Sequence, residues 1–95
     1  MKRWIEENEI SFYNLDNRPE ELVFNEVLKW MKELNNFQFE KVVEAPYCNF
    51  IKGSYEGIAF TLMCDFEDGT DIICNSASDA QILNRELNHI DKVGH

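Results

Sequence analysis

The sequence Ile58-Ala59-Phe60-Thr61-Leu62-Met63-Cys64-Asp65-Phe66 decides the fold. Large apolar residues occupy every second position, which is the period of a strand that buries one face. The buried face would then hold Ile58, Phe60, Leu62, Cys64 and Phe66, and the other face Thr61, Met63 and Asp65. This alternation predicts a strand in a sheet that is covered on one side.

Two further runs with the same period flank this strand. The run from Phe37 to Ile51 places Phe39, Val43, Ala45 and Tyr47 on one face, and the run from Thr70 to Asn75 offers Ile72 and Cys74. Pro46 lacks a backbone N–H, which favours an edge position for the first run. The three runs predict a three-stranded antiparallel meander.

The register follows from the turns. A tight turn at Lys52-Gly53 pairs apolar residues with each other, namely Tyr47 with Ile58, Ala45 with Phe60, Val43 with Leu62, and Phe39 with Phe66. A three-residue loop at Glu67-Asp68-Gly69, with Gly69 left-handed, sets Cys64 against Ile72.

Helical patterns lie on both sides of the strands. Asn17-Arg18-Pro19-Glu20 reads as a helix start with Asn17 as N-cap, and an apolar stripe follows until the helix ends near Asn35-Asn36. A second helix is predicted from Ser76 to Val93, capped by Ser76 or Ser78 and ended by Gly94-His95.

The expected fold is α+β, in the order α-β-β-β-α, with both helices on one face of the sheet. Residues 1–17 are expected to form an N-terminal arm or a short extra strand at Ile10-Ser11-Phe12-Tyr13. At 95 residues, the chain is expected to be one domain spanning 1–95.

This order of elements is similar to that of double-stranded RNA-binding domains, in topology only, from Pro19 to Val93. Those domains place a lysine cluster at the start of their second helix to bind phosphates. This chain has Ser76-Ala77-Ser78-Asp79-Ala80-Gln81 there. We therefore expect no direct nucleic acid binding.

The charge of the chain also argues against nucleic acid binding. Eighteen Asp and Glu residues against nine Lys and Arg residues give a formal net charge of −9, and no Lys or Arg occurs between Lys52 and Arg85. Such a surface repels nucleic acid and anionic lipid, and it accelerates association with a basic protein. There is no run of about 18 apolar residues to cross a membrane, so a cytoplasmic protein is expected.

The residues that commonly perform chemistry do not form a recognisable motif. Cys48, Cys64 and Cys74 have no C-x-x-C spacing and are expected to be reduced core thiols. The segment Asp65 to Asp71 is rich in carboxylates, but its Gly69 and Ser76 occupy the wrong positions for an EF-hand. His89 and His95 have no adjacent nucleophile motif. No enzyme activity, metal or cofactor is expected.

The candidate binding surface is the outer face of the predicted sheet together with its second loop. It has an apolar centre and an acidic rim, with Glu40 directly opposite Asp65, and comprises Glu40, Val42, Glu44, Met63, Asp65, Glu67, Asp68, Asp71 and Ile73. This combination favours a basic protein partner. An ordinary solvated sheet face is the simpler interpretation of the same residues.

The leading hypothesis is a bacterial immunity protein that neutralises a basic toxin, such as a nuclease domain, by covering its site. Small size, acidity and the lack of a catalytic motif support it, by analogy of type alone. The alternative is a regulatory or adaptor domain that binds a protein or ligand unrelated to nuclease inhibition. This alternative includes a homodimer formed through the same sheet face or through the free edge of the third predicted strand.

Overall fold

The computed structural model describes residues 2–14 and 17–92, and the side chains of residues 2–14 and 17–88. These residues form β1 (Arg3–Glu6), β2 (Glu9–Phe12), α1 (Glu20–Glu33), β3 (Phe37–Phe39), β4 (Val43–Glu44), β5 (Cys48–Tyr55), β6 (Ile58–Asp65), β7 (Gly69–Cys74) and α2 (Ala77–Lys92). The strands form one seven-stranded sheet in the order β1-β2-β7-β6-β5-β3, and β4 also pairs with β5. Every strand pair is antiparallel.

The prediction of a three-stranded meander is wrong for two reasons. The N-terminal arm is a hairpin, and its strand β2 pairs with β7, so the sheet extends beyond the third predicted strand. The run from Phe37 to Ile51 is not one strand, because it contains β3, β4 and the first half of β5. Pro46 lies between β4 and β5, where its missing N–H leaves no ladder bond unmade.

The predicted register of the first hairpin is also wrong. The turn is at Glu56 and Gly57, whose φ angles of 47° and 86° suit a tight hairpin, and Tyr55 pairs with Ile58. Gly53 lies within β5, opposite Phe60. As a result Glu40 does not face Asp65: the Glu40 N–H donates to the Lys52 carbonyl, and Asp65 pairs with Cys48.

In the second hairpin, Leu62 rather than Cys64 pairs with Ile72, and Asp65 pairs with Gly69. The loop therefore consists of residues 66–68. Gly69 has the positive φ that the sequence indicated, at 104°. The pairing shift is even in residue number along β6 and β7, so it leaves each side chain on its predicted face.

The hydrophobic core lies between one face of the sheet and the two helices. Buried side chains alternate along the strands, and both helices contribute to the same cluster, whose members include Ile10, Phe24, Met31, Leu62, Ile72, Leu83 and Leu87. At one end the rings of Phe37, Phe39, Tyr55 and Phe60 pack together. Burial raises the pKa of the Tyr55 hydroxyl, and a hydrogen bond with Glu86 adds to this effect.

The helix starts are held in different ways. The N-cap of α1 is Pro19 rather than the predicted Asn17, because Pro19 is extended (φ −52°, ψ 135°) immediately before the helix. Glu20 instead accepts hydrogen bonds from Asn14 and from the buried Thr70 hydroxyl. For α2, the cap is Ser76, one of the two serines predicted, since its hydroxyl accepts the Asp79 N–H at 3.1 Å. The predicted helix end at Val93-Gly94-His95 lies outside the described residues.

Arg3 joins the first strand to the last helix. Its guanidinium donates to the Asn84 side chain at 2.8 Å, to the Asn84 carbonyl at 3.0 Å and to the Asn88 side chain at 2.6 Å. In the described part of the chain, no helix is long and apolar enough to cross a membrane.

Candidate functional site

Neither α1 nor α2, as far as the structure describes them, covers the side of the sheet away from the core, and we call this side the open face. The ladder aligns its side chains into two rows across the strands. The first row is Trp4, Ser11, Asp71, Met63, Phe50 and Val43, and the second is Glu6, Glu9, Ile73, Thr61 and Lys52. Since alternate residues point to opposite sides of a sheet, both rows face solvent.

The open face has an apolar centre. Phe50, Met63 and Ile73 are half-buried there, next to one another on adjacent strands. Trp4 and Val43 extend the first row toward the sheet edges and are 41% and 44% exposed. The Trp4 ring rests against the Tyr13 ring, with 4.3 Å between centroids. Apolar area concentrated in this way is typical of a contact surface.

The charge of the open face is mainly negative. Glu6, Glu9 and Asp71 lie in its two rows, and Lys52 is the basic residue among them. Glu40 lies next to Lys52, because its N–H donates to the Lys52 carbonyl at 2.9 Å. A shallow depression of about 310 Å³ is lined by Glu40, Lys52, Thr61 and Ile73, among others.

Two turns meet at one end of this face, and we call them the tip: residues 45–47 between β4 and β5, and residues 66–68 between β6 and β7. The Phe66 N–H donates to the Tyr47 carbonyl at 3.2 Å, which joins the two turns. One oxygen of the Asp65 carboxylate accepts the Glu67 and Asp68 N–H groups at 2.8 and 3.1 Å. Asp65 therefore has a structural task in this turn.

The nine predicted surface residues divide into four groups. Met63, Asp65, Asp71 and Ile73 lie together on the open face. Glu67 and Asp68 belong to the exposed tip, and Glu40 and Val42 flank the face near β3 and β4. Glu44 pairs with Asn49, whose side chain is buried on the helix side, so Glu44 is not on the open face.

Seven residues of the two rows were not predicted on the outer face: Trp4, Glu6, Glu9, Ser11, Val43, Phe50 and Lys52. Val43 was predicted on the buried face, and the prediction is wrong because Val43 pairs with Phe50 on the open face. The segment 49–55 alternates between the two faces of β5, and this alternation could have predicted which residues face outward. Asn49, Ile51, Gly53 and Tyr55 alternate with Phe50, Lys52 and Ser54. The turn predicted at Lys52-Gly53 interrupts this segment, so the alternation was not recognised. The strands β1 and β2 show a weaker alternation pattern in the sequence, because each has only four residues.

The thiols have separate environments. All three cysteines are free, with Cys64 and Cys74 buried and Cys48 half-buried on the open face beside Asp65. Burial raises the pKa of the Cys64 and Cys74 thiols to about 11, and nearby Glu20 and Asp79 respectively add to this. Among the described residues no His, Cys, Asp and Glu side chains form a metal-binding group. The His89 side chain and His95 lie outside the part described.

No protein-family model, curated protein or solved structure matches this chain.

Proposed function

We propose that this chain is a binding protein whose open face docks on a basic protein partner and blocks that partner's site. The observation that supports it is an uncovered apolar centre of Phe50, Met63 and Ile73 bordered by carboxylates. Apolar side chains supply the dry centre of an interface, while the charged border selects the sign of the partner.

The partner that fits best is an enzyme that acts on a polyanion, such as a nuclease toxin. The substrate site of such an enzyme is basic, and the carboxylates of Glu9, Asp71 and Asp65 would take the place of substrate phosphates in it. The formal net charge of −9 would also accelerate the encounter at low ionic strength. Inhibition of this kind is steric and electrostatic, and needs no catalytic group on the inhibitor.

A second copy of the chain is the competing occupant of the open face. Its apolar centre suits a sheet-on-sheet contact, which is the basis of the homodimer alternative. The charges oppose it, because the carboxylates of Glu6, Glu9 and Asp71 would be brought against the same groups of another copy. Like charges at an interface weaken association.

The test compares three forms of the protein on an affinity resin loaded with lysate of the source cells. The first is the wild type, and the second carries Glu9→Lys and Asp71→Lys, which reverse two charges on the open face. The third carries Glu21→Lys, an exposed reversal on α1 on the other side of the sheet. Asp65 is left intact because it holds the tip turn.

We expect a basic protein that both the wild type and Glu21→Lys retain until high salt, and that the double variant releases early. Its enzyme activity should fall when the wild type is added and not when the double variant is added. Equal retention by all three forms, or retention without inhibition, would contradict the proposal. Recovery of the chain alone, with a dimer mass in sedimentation, would favour the homodimer.

A further inference from the structure

Among the side chains that the structure describes, Tyr47 is the most exposed of the large apolar ones, at 82%. Phe66, in the neighbouring turn, is 45% exposed, and Val43 at the start of the adjoining β4 is 44% exposed. A ring exposed to this degree gains little from folding, because it leaves most of its apolar area in water. Tyr is also among the residues that most often dominate binding energy at interfaces.

The backbone that carries these rings is held in place. The Ala45 N–H donates to the Cys48 carbonyl at 2.9 Å across one turn, and the Phe66 N–H donates to the Tyr47 carbonyl at 3.2 Å between the turns. The Asp65 carboxylate fixes the second turn through two N–H groups. A group held in its binding position loses less conformational entropy when a partner arrives.

The charged residues within and next to the two turns in sequence all have one sign. Glu44, Asp65, Glu67 and Asp68 lie within or beside the two turns, and neither 42–51 nor 53–84 contains a Lys or Arg. An aromatic face attracts a cation, and a carboxylate beside it adds a charge-assisted hydrogen bond. The guanidinium of arginine satisfies both, because it is planar, weakly hydrated and presents several N–H donors in a fixed plane.

We propose that the tip is an arginine-binding anchor: the Tyr47 ring stacks on a guanidinium of the basic partner, while the carboxylates of Glu67 and Asp68 accept its hydrogen bonds. This inference rests on the proposed function and names the chemical group that its partner presents. The anchor lies at the end of the open face, since Asp65 belongs both to β6 and to the turn that holds the tip. The partner therefore carries an exposed arginine beside the basic surface that meets the open face.

The experiment uses defined peptides and the full chain labelled with ¹⁵N. Three nine-residue Gly/Ser peptides carry two arginines, two lysines or two citrullines; citrulline keeps the shape of arginine without its charge. Each is titrated while backbone amide shifts are recorded in ¹H–¹⁵N NMR spectra. The arginine peptide should shift the amides of 44–48 and 65–69 and bind about threefold tighter than the lysine peptide, and the citrulline peptide should not bind.

The variants separate the ring from the charges. Tyr47→Ala and Tyr47→Leu should each weaken the arginine peptide by about three- to fivefold, because leucine keeps apolar area but has no aromatic face. Glu67→Gln with Asp68→Asn should weaken arginine and lysine peptides alike. Tyr13→Ala is the matched control: Tyr13 is also exposed, at 43%, but lies against Trp4 and should leave binding unchanged.

Two results would overturn the anchor. One is equal affinity for arginine and lysine peptides with shifts spread along Glu6, Glu9 and Asp71; the other is unchanged binding by Tyr47→Ala. The anchor and the proposed function fail separately. If Glu9→Lys with Asp71→Lys retains the partner while the arginine peptide still maps to the tip, the open face is wrong and the anchor stands.

Discussion

Gly53 and Phe60 show how one missing side chain shapes the core. They face each other across β5 and β6, and a Cβ at position 53 would lie 2.7 Å from the Phe60 ring and 2.7 Å from the Gln38 carbonyl oxygen. The Phe60 ring therefore occupies the space above Gly53, where it meets the rings of Phe37 and Phe39. The absent Cβ lets an aromatic cluster close over the edge of the sheet.

Gly53→Ala should lower the free energy of unfolding by about 1–3 kcal/mol, because the added methyl group overfills a packed region against backbone that cannot move away. Ser54→Ala is the control, since Ser54 is the next residue of the same strand and points to the open face. It should change the unfolding free energy by less than about 0.5 kcal/mol. Urea unfolding followed by circular dichroism measures both, and equal values would contradict this account of Gly53.

The three thiols should react at different rates. With pKa values of about 11, roughly one Cys64 or Cys74 thiol in a thousand is ionised at pH 8, and both are buried. Cys48 is half-buried and accessible from the open face. In native protein a disulfide reagent should therefore label a single thiol within minutes and the others only on unfolding. Cys48→Ala should abolish the fast phase, and its persistence would show that a core thiol is accessible.

Among the elements, the hairpin of β5 and β6 shows what the sequence leaves open. Lys52-Gly53 and Glu56-Gly57 are both a charged residue followed by glycine, and either pair satisfies the chemistry of a tight turn. Gly57 is needed because its φ is positive, whereas Gly53 is needed because the Phe60 ring occupies the space that a side chain would fill. Local composition does not distinguish these roles, because the second depends on Phe60 and Gln38 arriving from other strands.

Gly57→Ala tests the turn by itself. Gly57 has φ of +86°, and an added Cβ would meet no atom within 4 Å, so any effect comes from backbone strain alone. We expect a loss of about 1 kcal/mol in unfolding free energy. Gly57→Asn should lose less, because asparagine tolerates left-handed backbone. If alanine and asparagine cost the same in thermal and urea unfolding, left-handed strain is not the cause.

The alternation of β6 and β7 explains why part of the candidate site was predictable. Met63, Asp65, Asp71 and Ile73 were placed on the outer face by period two alone, and an even shift in pairing does not change the face. The prediction that Glu44 lies on the outer face was wrong. The chain bends at Pro46 between β4 and β5, and this reverses the face of β4 relative to the predicted strand. The part of the open face that β1 and β2 form was not predictable, since a strand of four residues is too short to show a clear periodic pattern.

For the molecule as a whole, the formal net charge of −9 acts on the folded state. Folding brings carboxylates closer together than in the unfolded chain, and two like charges about 10 Å apart in water repel by about 0.4 kcal/mol. Several such pairs together lower the unfolding free energy by a measurable amount. Much of it is screened once the Debye length falls below their separation.

Raising sodium chloride from about 0.02 to 0.3 M should therefore raise the unfolding free energy by about 1 kcal/mol. Urea unfolding at each salt concentration measures the change. The variant with Glu9→Lys and Asp71→Lys has a smaller net charge and should respond less. If salt raises the unfolding free energy equally in both proteins, the cause is a general effect of salt on the burial of apolar surface and not the screening of repulsion between carboxylates.

The pairing of β2 with β7 has a consequence for the order in which the chain folds. Glu9 pairs with Ile73 and Arg3 contacts Asn88, so the first strands find their neighbours only after the residues up to Asn88 have been synthesised. The hairpin of β5 and β6 needs no such wait, because Tyr55 and Ile58 are close in sequence. Contacts between distant residues form slowly. We expect β5 and β6 to pair early, and the pairing of β2 with β7 and the contact of Arg3 with α2 to form in the last, slowest step.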